Sequence, residues 1–121
     1  MRSSRTTLSL TVLLLLGASG ASHAQELRPI SGEPPTPGQR VVLVTGSTGG
    51  LGRVVARRLA DAGDHVIVHG RDVERGRALV DEITGETPGS ARFYAADFGA
   101  LATVRALAAA VARDYDRLDV L

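Results

Sequence analysis

From residue 40 onward the chain alternates between two hydrophobic rhythms. Val41-Val42-Leu43-Val44 is continuously apolar, the pattern of a strand covered on both faces of a parallel sheet. Gly52 to Ala62 then carries Val55, Leu59 and Ala62 at helical spacing with arginines opposite, and Gly63 supplies a stop. His65 to His69, built on Val66-Ile67-Val68, reads as a second strand ended by Gly70. Asp72 can cap a second helix that buries Val73, Gly76, Val80 and Ile83, until Gly85, Pro88 and Gly89 break it. Ala91 to Ala95 is a third strand. Gly99 opens a third helix with Leu101, Val104, Ala108 and Val111 at three- and four-residue steps, running to about Asp114, and Leu118 to Leu121 begins a fourth strand. Strand, helix, strand in repetition predicts βαβ units on a parallel sheet.

The first forty residues follow a different logic. Residues 25–39 hold Pro29, Pro34, Pro35 and Pro37 without apolar periodicity, and are expected to form a Pro/Gly-rich linker. Residues 1–24 have the layout of a signal peptide: Arg2 and Arg5, an apolar run from Leu8, and small residues at Ala21-Ser22-His23-Ala24. As a helix, the run from Leu8 to Ala18 would rise about 16 Å, short of the roughly 30 Å of a bilayer core, so no stable membrane span is expected. If the signal operates, the protein is exported or periplasmic; if the segment is a spurious upstream extension, it is cytoplasmic.

Composition narrows the chemistry. Fourteen basic residues stand against 13 acidic ones in 121, every basic one an arginine, so no polybasic face argues for nucleic acid. Cysteine is absent, which excludes disulfides and thiolate metal sites. His23, His65 and His69 show no metal-ligand spacing; the last two flank an extended run and read as strand-end residues.

The most informative stretch is Thr45-Gly46-Ser47-Thr48-Gly49-Gly50-Leu51-Gly52, between the first strand and the first helix. A turn without side chains lets the backbone approach a pyrophosphate, and the N–H groups opening the following helix point at that charge. Its position between strand and helix is the context that such a motif requires. Just past the second strand, where dinucleotide folds read the ribose, stands Arg71 and no carboxylate. A planar guanidinium suits a 2′-phosphate, which favours NADP over NAD; the alternative is a solvated surface arginine. Asp72 beside it reads as a helix cap. At the tip of the third strand Asp97 can accept from an adenine amino group with Phe98 against the ring, or can cap the helix that follows.

Taken together, Thr45-Gly46-x-x-x-Gly50-x-Gly52, Arg71, Asp97 and Leu118-Asp119-Val120-Leu121 resemble the opening half of the short-chain dehydrogenase/reductase family, over residues 40–121. The resemblance implies a Rossmann-type α/β fold, a doubly wound parallel sheet of order 3-2-1-4 cut off after the start of the fourth strand. It implies that Gly46, Gly50 and Gly52 form the cofactor turn, that Ser47, Thr48 and Leu51 line the phosphate and nicotinamide side, that Arg71 selects NADP, and that Asp97 holds adenine. Gly46-x-x-Gly49-x-x-Gly52 also fits the spacing of the family's extended branch, so the glycines alone leave the branch open.

The family's catalytic Ser and Tyr-x-x-x-Lys pair are implied to lie beyond Leu121. The sequence holds no lysine, and Phe98 and Asp119 stand four residues past its two tyrosines. The expectation is therefore a cofactor-binding N-terminal portion of an oxidoreductase acting on alcohol or carbonyl groups, inactive alone. Two other readings are a non-catalytic nucleotide-binding module and an exported interaction protein. With helices one and two on one face and helix three alone on the other, apolar sheet surface and the edge at Leu118 to Leu121 are expected to stay open and to favour self-association.

Overall fold

A computed structural model describes residues 26–121; the signal-type segment expected at residues 1–24 lies outside them. The elements run β1 (Ser31–Gly32), β2 (Val41–Val44), α1 (Gly50–Asp61), β3 (His65–Gly70), α2 (Val73–Glu86), β4 (Ser90–Ala95) and α3 (Leu101–Asp114). The three predicted strands are β2, β3 and β4. They pair in parallel, with Val41 opposite His65 and His65 opposite Ser90. The sheet order is β1-β4-β3-β2.

Two features depart from the sequence reading. The segment expected as linker places Ser31 and Gly32 antiparallel to β4, opposite Phe93 and Arg92, with the Ile30 amide donating to the Phe93 carbonyl at 2.8 Å, so the sheet is mixed. Two paired residues are too few to leave an alternating pattern. At the other edge, the expected fourth strand is a single parallel bridge of Val42 with Val120. It is pinned by Leu43 N–H to the Val120 carbonyl at 3.0 Å and Val41 N–H to the Asp119 carboxylate at 2.7 Å, which gives the order expected for that position.

Alternation along the strands feeds two cores. Val66, Val68, Ala91 and Phe93 face α1 and α2, where they meet Ala56, Ala60, Leu79, Val80 and Ile83. Val41, Ile67 and Tyr94 face α3 and pack with Leu107, Ala110, Val111 and Tyr115. Every residue of β3 is buried, as a central strand covered on both faces requires.

The helices bury slightly different faces than periodicity suggested. In α1 the sheet is met by Ala56 and Ala60, while Val55 is exposed; small residues at four-residue spacing let the helix lie close to the strands. α2 buries Leu79 beside the expected Gly76, Val80 and Ile83, leaves Val73 exposed, and continues through Gly85 to Glu86. Its close approach depends on Gly76, where a Cβ would meet the Phe93 ring. α3 buries Leu107, Ala110 and Val111, and leaves Leu101 63% exposed. The alanine-rich helix is apolar around much of its girth, so its spacing admits more than one face.

The buried imidazole of His65, at the start of β3, has a partner at each nitrogen. His65 Nδ1 lies 2.7 Å from Ser90 Oγ and Nε2 lies 3.0 Å from the Tyr115 hydroxyl. Ser90 Oγ donates to Gln39 Oε1 at 2.9 Å, which leaves it to accept from His65 Nδ1–H. Burial, with the positive charge of Arg92 second, pushes the imidazole down to about 4.

Candidate functional site

All three parallel strands end at the same edge, and the glycine stretch turns there from β2 into α1. Two of its glycines are fixed by conformation and one by space. Gly46 and Gly50 have φ of +62° and +56°, which side-chain-bearing residues rarely adopt. At Gly52 a Cβ would collide with the Gly46 carbonyl, its carbon only 2.9 Å away. Gly49 needs neither: its φ is −162° and a Cβ there would meet nothing closer than 3.7 Å. The geometry thus demands glycine in the Gly46-x-x-x-Gly50-x-Gly52 register. No side chain caps the N-terminus of α1, and its first turn carries no acidic residue. The end of the helix dipole and the first amides are left for an anion.

Ser47 departs from the expectation that its side chain lines the phosphate side. It is fully buried, with Oγ accepting from the His69 amide at 3.0 Å and donating to the His69 carbonyl at 3.3 Å, while its own amide donates to that carbonyl at 2.8 Å. Both of its donors are spent on stapling the turn to β3. Leu51 stands at the helix start and is 79% exposed.

Thr48 leans over the end of β3, where its side chain fills the place of a Gly70 Cβ. Beyond it Arg71, Asp72 and Arg75 line a recess together with Thr48. Asp72 caps α2 through Oδ1, which accepts from the Arg75 amide at 3.0 Å, and the Arg75 guanidinium lies 3.5 Å from its other oxygen. The capping role foreseen for Asp72 is therefore what the structure has. Arg75 was missed by sequence reasoning. Its spacing of four from Arg71, across a helix start, was the available signal: the first turn of α2 carries it back beside the strand end.

An adjoining recess of about 410 Å³ brings together Gly46, Thr48, Gly70, Arg71, Asp97 and Phe98. Asp97 Oδ1 accepts from the Gly99 amide at 2.8 Å, so it shapes the loop after β4, and α3 starts two residues later at Leu101 with no side-chain cap. Phe98 stacks on His69, ring centroids 4.0 Å apart and 17° from parallel, and is 40% exposed. One of its faces is thus taken by protein. His69 itself, read from sequence as a strand-end residue, reaches across the edge: Nδ1 accepts from the Gly46 amide at 3.0 Å, and Nε2 lies 2.9 Å from the Ala96 carbonyl. Among the described residues no group of three or more acidic or histidine side chains could hold a metal ion.

The sequence model described as short chain dehydrogenase matches residues 40–121. The chain is similar to polyprenol dehydrogenase of Mus musculus, 42% identical over 102 residues that cover 78% of this chain and 29% of that protein. It is similar to carbonyl reductase (NADPH) 3 of Homo sapiens, 40% identical over 84 residues, 68% of this chain and 30% of that one. Among solved structures it resembles a metagenomic short-chain oxidoreductase in complex with NADP, with a TM-score of 0.64 and 36% identity over 68% of this chain and 37% of the other. The chain thus spans about three-tenths of the length of these curated relatives. Over that length the sequence and the fold both agree, and the chain belongs to the short-chain dehydrogenase family.

Proposed function

We propose that the chain binds NADP along the carboxyl edge of its sheet. The observation that carries this is the joint placement of an uncapped helix N-terminus behind a turn that excludes a Cβ at Gly52, and of two guanidinium groups, Arg71 and Arg75, around the recess next to it. The turn suits the diphosphate through the amides of the Gly50-Leu51-Gly52 helix start, and the arginine recess suits the 2′-phosphate, with Thr48 between them. Asp97 accepts from the adenine amino group through its second oxygen, and Phe98 offers adenine the face that His69 leaves open. Solved relatives bound to NADP or NADPH support the same choice. Isothermal titration of the chain with NADP and NAD tests it. NADP is expected to bind at least about tenfold tighter, the difference a charge-assisted pair of contacts supplies. Equal affinity would remove the arginines from the assignment.

Bound there, NADP supplies the nicotinamide that exchanges a hydride. Relatives named polyprenol dehydrogenase and carbonyl reductase support an alcohol or carbonyl group as the point of reaction. The 121 residues contain no lysine, and neither Tyr94 nor Tyr115 is followed by one at the fourth position. Burial, the largest cause for both, raises both phenols above their ordinary range, and neither lines the arginine recess or the one beside it. On this reading these residues bind cofactor, and turnover needs groups they do not supply.

A second reading concerns association. Leu118, Val120 and Leu121 are exposed, and an apolar groove between α3 and the sheet is lined by Leu43, Val104, Ala108, Val111, Leu118 and Leu121. We read this surface as self-associating in the chain alone. Sedimentation velocity across a concentration series tests it: a monomer throughout contradicts it. The export proposal for residues 1–24 rests on sequence, and a fusion of residues 1–40 to a reporter that is neither cleaved nor exported would remove it.

A further inference from the structure

We propose that His69 is a positioning residue for the dinucleotide turn, a latch that holds Gly46 while its ring is neutral and lets it go on protonation. The proposal rests on the NADP-binding reading and adds a control to that same site. Three strand ends meet at this one ring. Nδ1 accepts from the Gly46 amide at 3.0 Å, Nε2 lies 2.9 Å from the Ala96 carbonyl beyond β4, and the ring belongs to the end of β3. A carbonyl can only accept, so the proton is on Nε2 and the lone pair on Nδ1. That is the one protonation state that serves both partners. Adding a proton to Nδ1 sets N–H against N–H at Gly46. The amide then loses its acceptor, and a residue with φ of +62° loses its tie to the sheet.

The surroundings favour the neutral ring. His69 is 4% exposed, with Phe98 stacked on it. Burial is the largest influence on its titration and lowers it, and the Ala96 carbonyl opposes this. The ionisable groups on the elements around it are His65 on β3 and Arg71 just past its end, Arg92 and Tyr94 on β4, Asp97 in the loop after it, and Arg105, Arg113 and Asp114 on α3; none of them is among the causes of that shift. The folded protein therefore keeps the latch closed at neutral pH and opens it below the ordinary histidine range near 6.5.

The test follows the ring and the turn separately. In the cofactor-free chain, 15N spectra report the His69 tautomer and its titration, and the Gly46 amide resonance is read at each pH. We expect the proton on Nε2 and a Gly46 shift with the same midpoint as the ring. A Gly46 amide indifferent to the ring, or a proton on Nδ1, would overturn the latch. NADP affinity is then compared at pH 7.5 and 5.0 for the parent chain and for His69→Asn, whose amide oxygen can still accept from Gly46 and does not titrate. The 2′-phosphate also titrates here, so the comparison between the two proteins is the readout. The parent is expected to lose roughly three- to tenfold more affinity than His69→Asn, and equal losses would contradict the proposal. Should the variant not fold, the spectra of the parent chain decide alone. Absence of NADP binding at pH 7.5 would sink the functional reading and leave the Gly46 shift to decide the latch.

Discussion

Gly52 packs its bare Cα against the carbonyl of Gly46, and the contact leaves no room for a Cβ on Gly52. This contact lets the first turn of α1 close onto the loop that leaves β2. Gly52→Ala must push the two apart. An overpacking cost of about 1–3 kcal/mol is expected, together with loss of NADP binding. At Gly49, where a Cβ has space and φ is −162°, alanine is expected to be nearly neutral. Thermal unfolding and cofactor titration of the two variants check the pair, and equal behaviour would contradict the register assigned to the glycines.

Arg71 and Arg75 are predicted to act on one phosphate. Removing either should weaken NADP by about tenfold while leaving NAD within about twofold, because only the 2′-phosphate distinguishes the two cofactors. The double variant Arg71→Ala with Arg75→Ala should lose the preference. Calorimetric titration with both nucleotides measures this. A parallel fall for NAD and NADP would point to a general charge effect.

The contact of Gly76 with the Phe93 ring gives a prediction about the fold alone. A Cβ at Gly76 would strike the far end of the ring, and Phe93 is fully buried. Gly76→Ala raises helix propensity by about 1 kcal/mol, yet is expected to destabilise by about 1–3 kcal/mol net, since packing outweighs propensity in a close-packed core. Denaturant unfolding reads the sign, and a stabilised variant would contradict the packing described for α2.

Acid should destabilise the chain through its buried imidazoles before its carboxylates. His65 titrates near 6.5 when unfolded and is held down at about 4 when folded. The unfolded chain takes up the proton first, so stability is full above about pH 6.5 and falls progressively as the pH drops toward 4. His69 shifts in the same direction and adds to the fall. Asp114, held low chiefly by Arg113, and Asp119, held low chiefly by the Val41 amide, add theirs only at more acid pH. Melting temperature from pH 7.5 to 4.5 checks this, and His65→Gln should show a shallower decline whatever its own starting value.

The sequence exposed the parts of the molecule that are local. Val41 to Val44 reads as a buried strand because its run is continuous, and Asp72 reads as a cap because capping is decided within a few residues. The choice between Gly49 and Gly50 was not local: it needed the φ angles and the proximity of Gly52 to Gly46. Ser47 looked like a ligand group because nothing in the chain announces that its hydroxyl faces a strand end 22 residues away. The face of α3 was misjudged where alanines blur the stripe, and Val104 and Ala108 line the open groove. His69 offers no signal at all, since its partner is a backbone amide 23 residues upstream.

The most direct measurement is the response of assigned backbone amides to added NADP in the cofactor-free chain. Gly46, Gly50, Leu51, Gly52 and Arg71 should shift together along a single saturable curve, with NAD moving the glycine turn at higher concentration and Arg71 little. Saturable shifts confined to other residues, or none with NADP, would contradict the site.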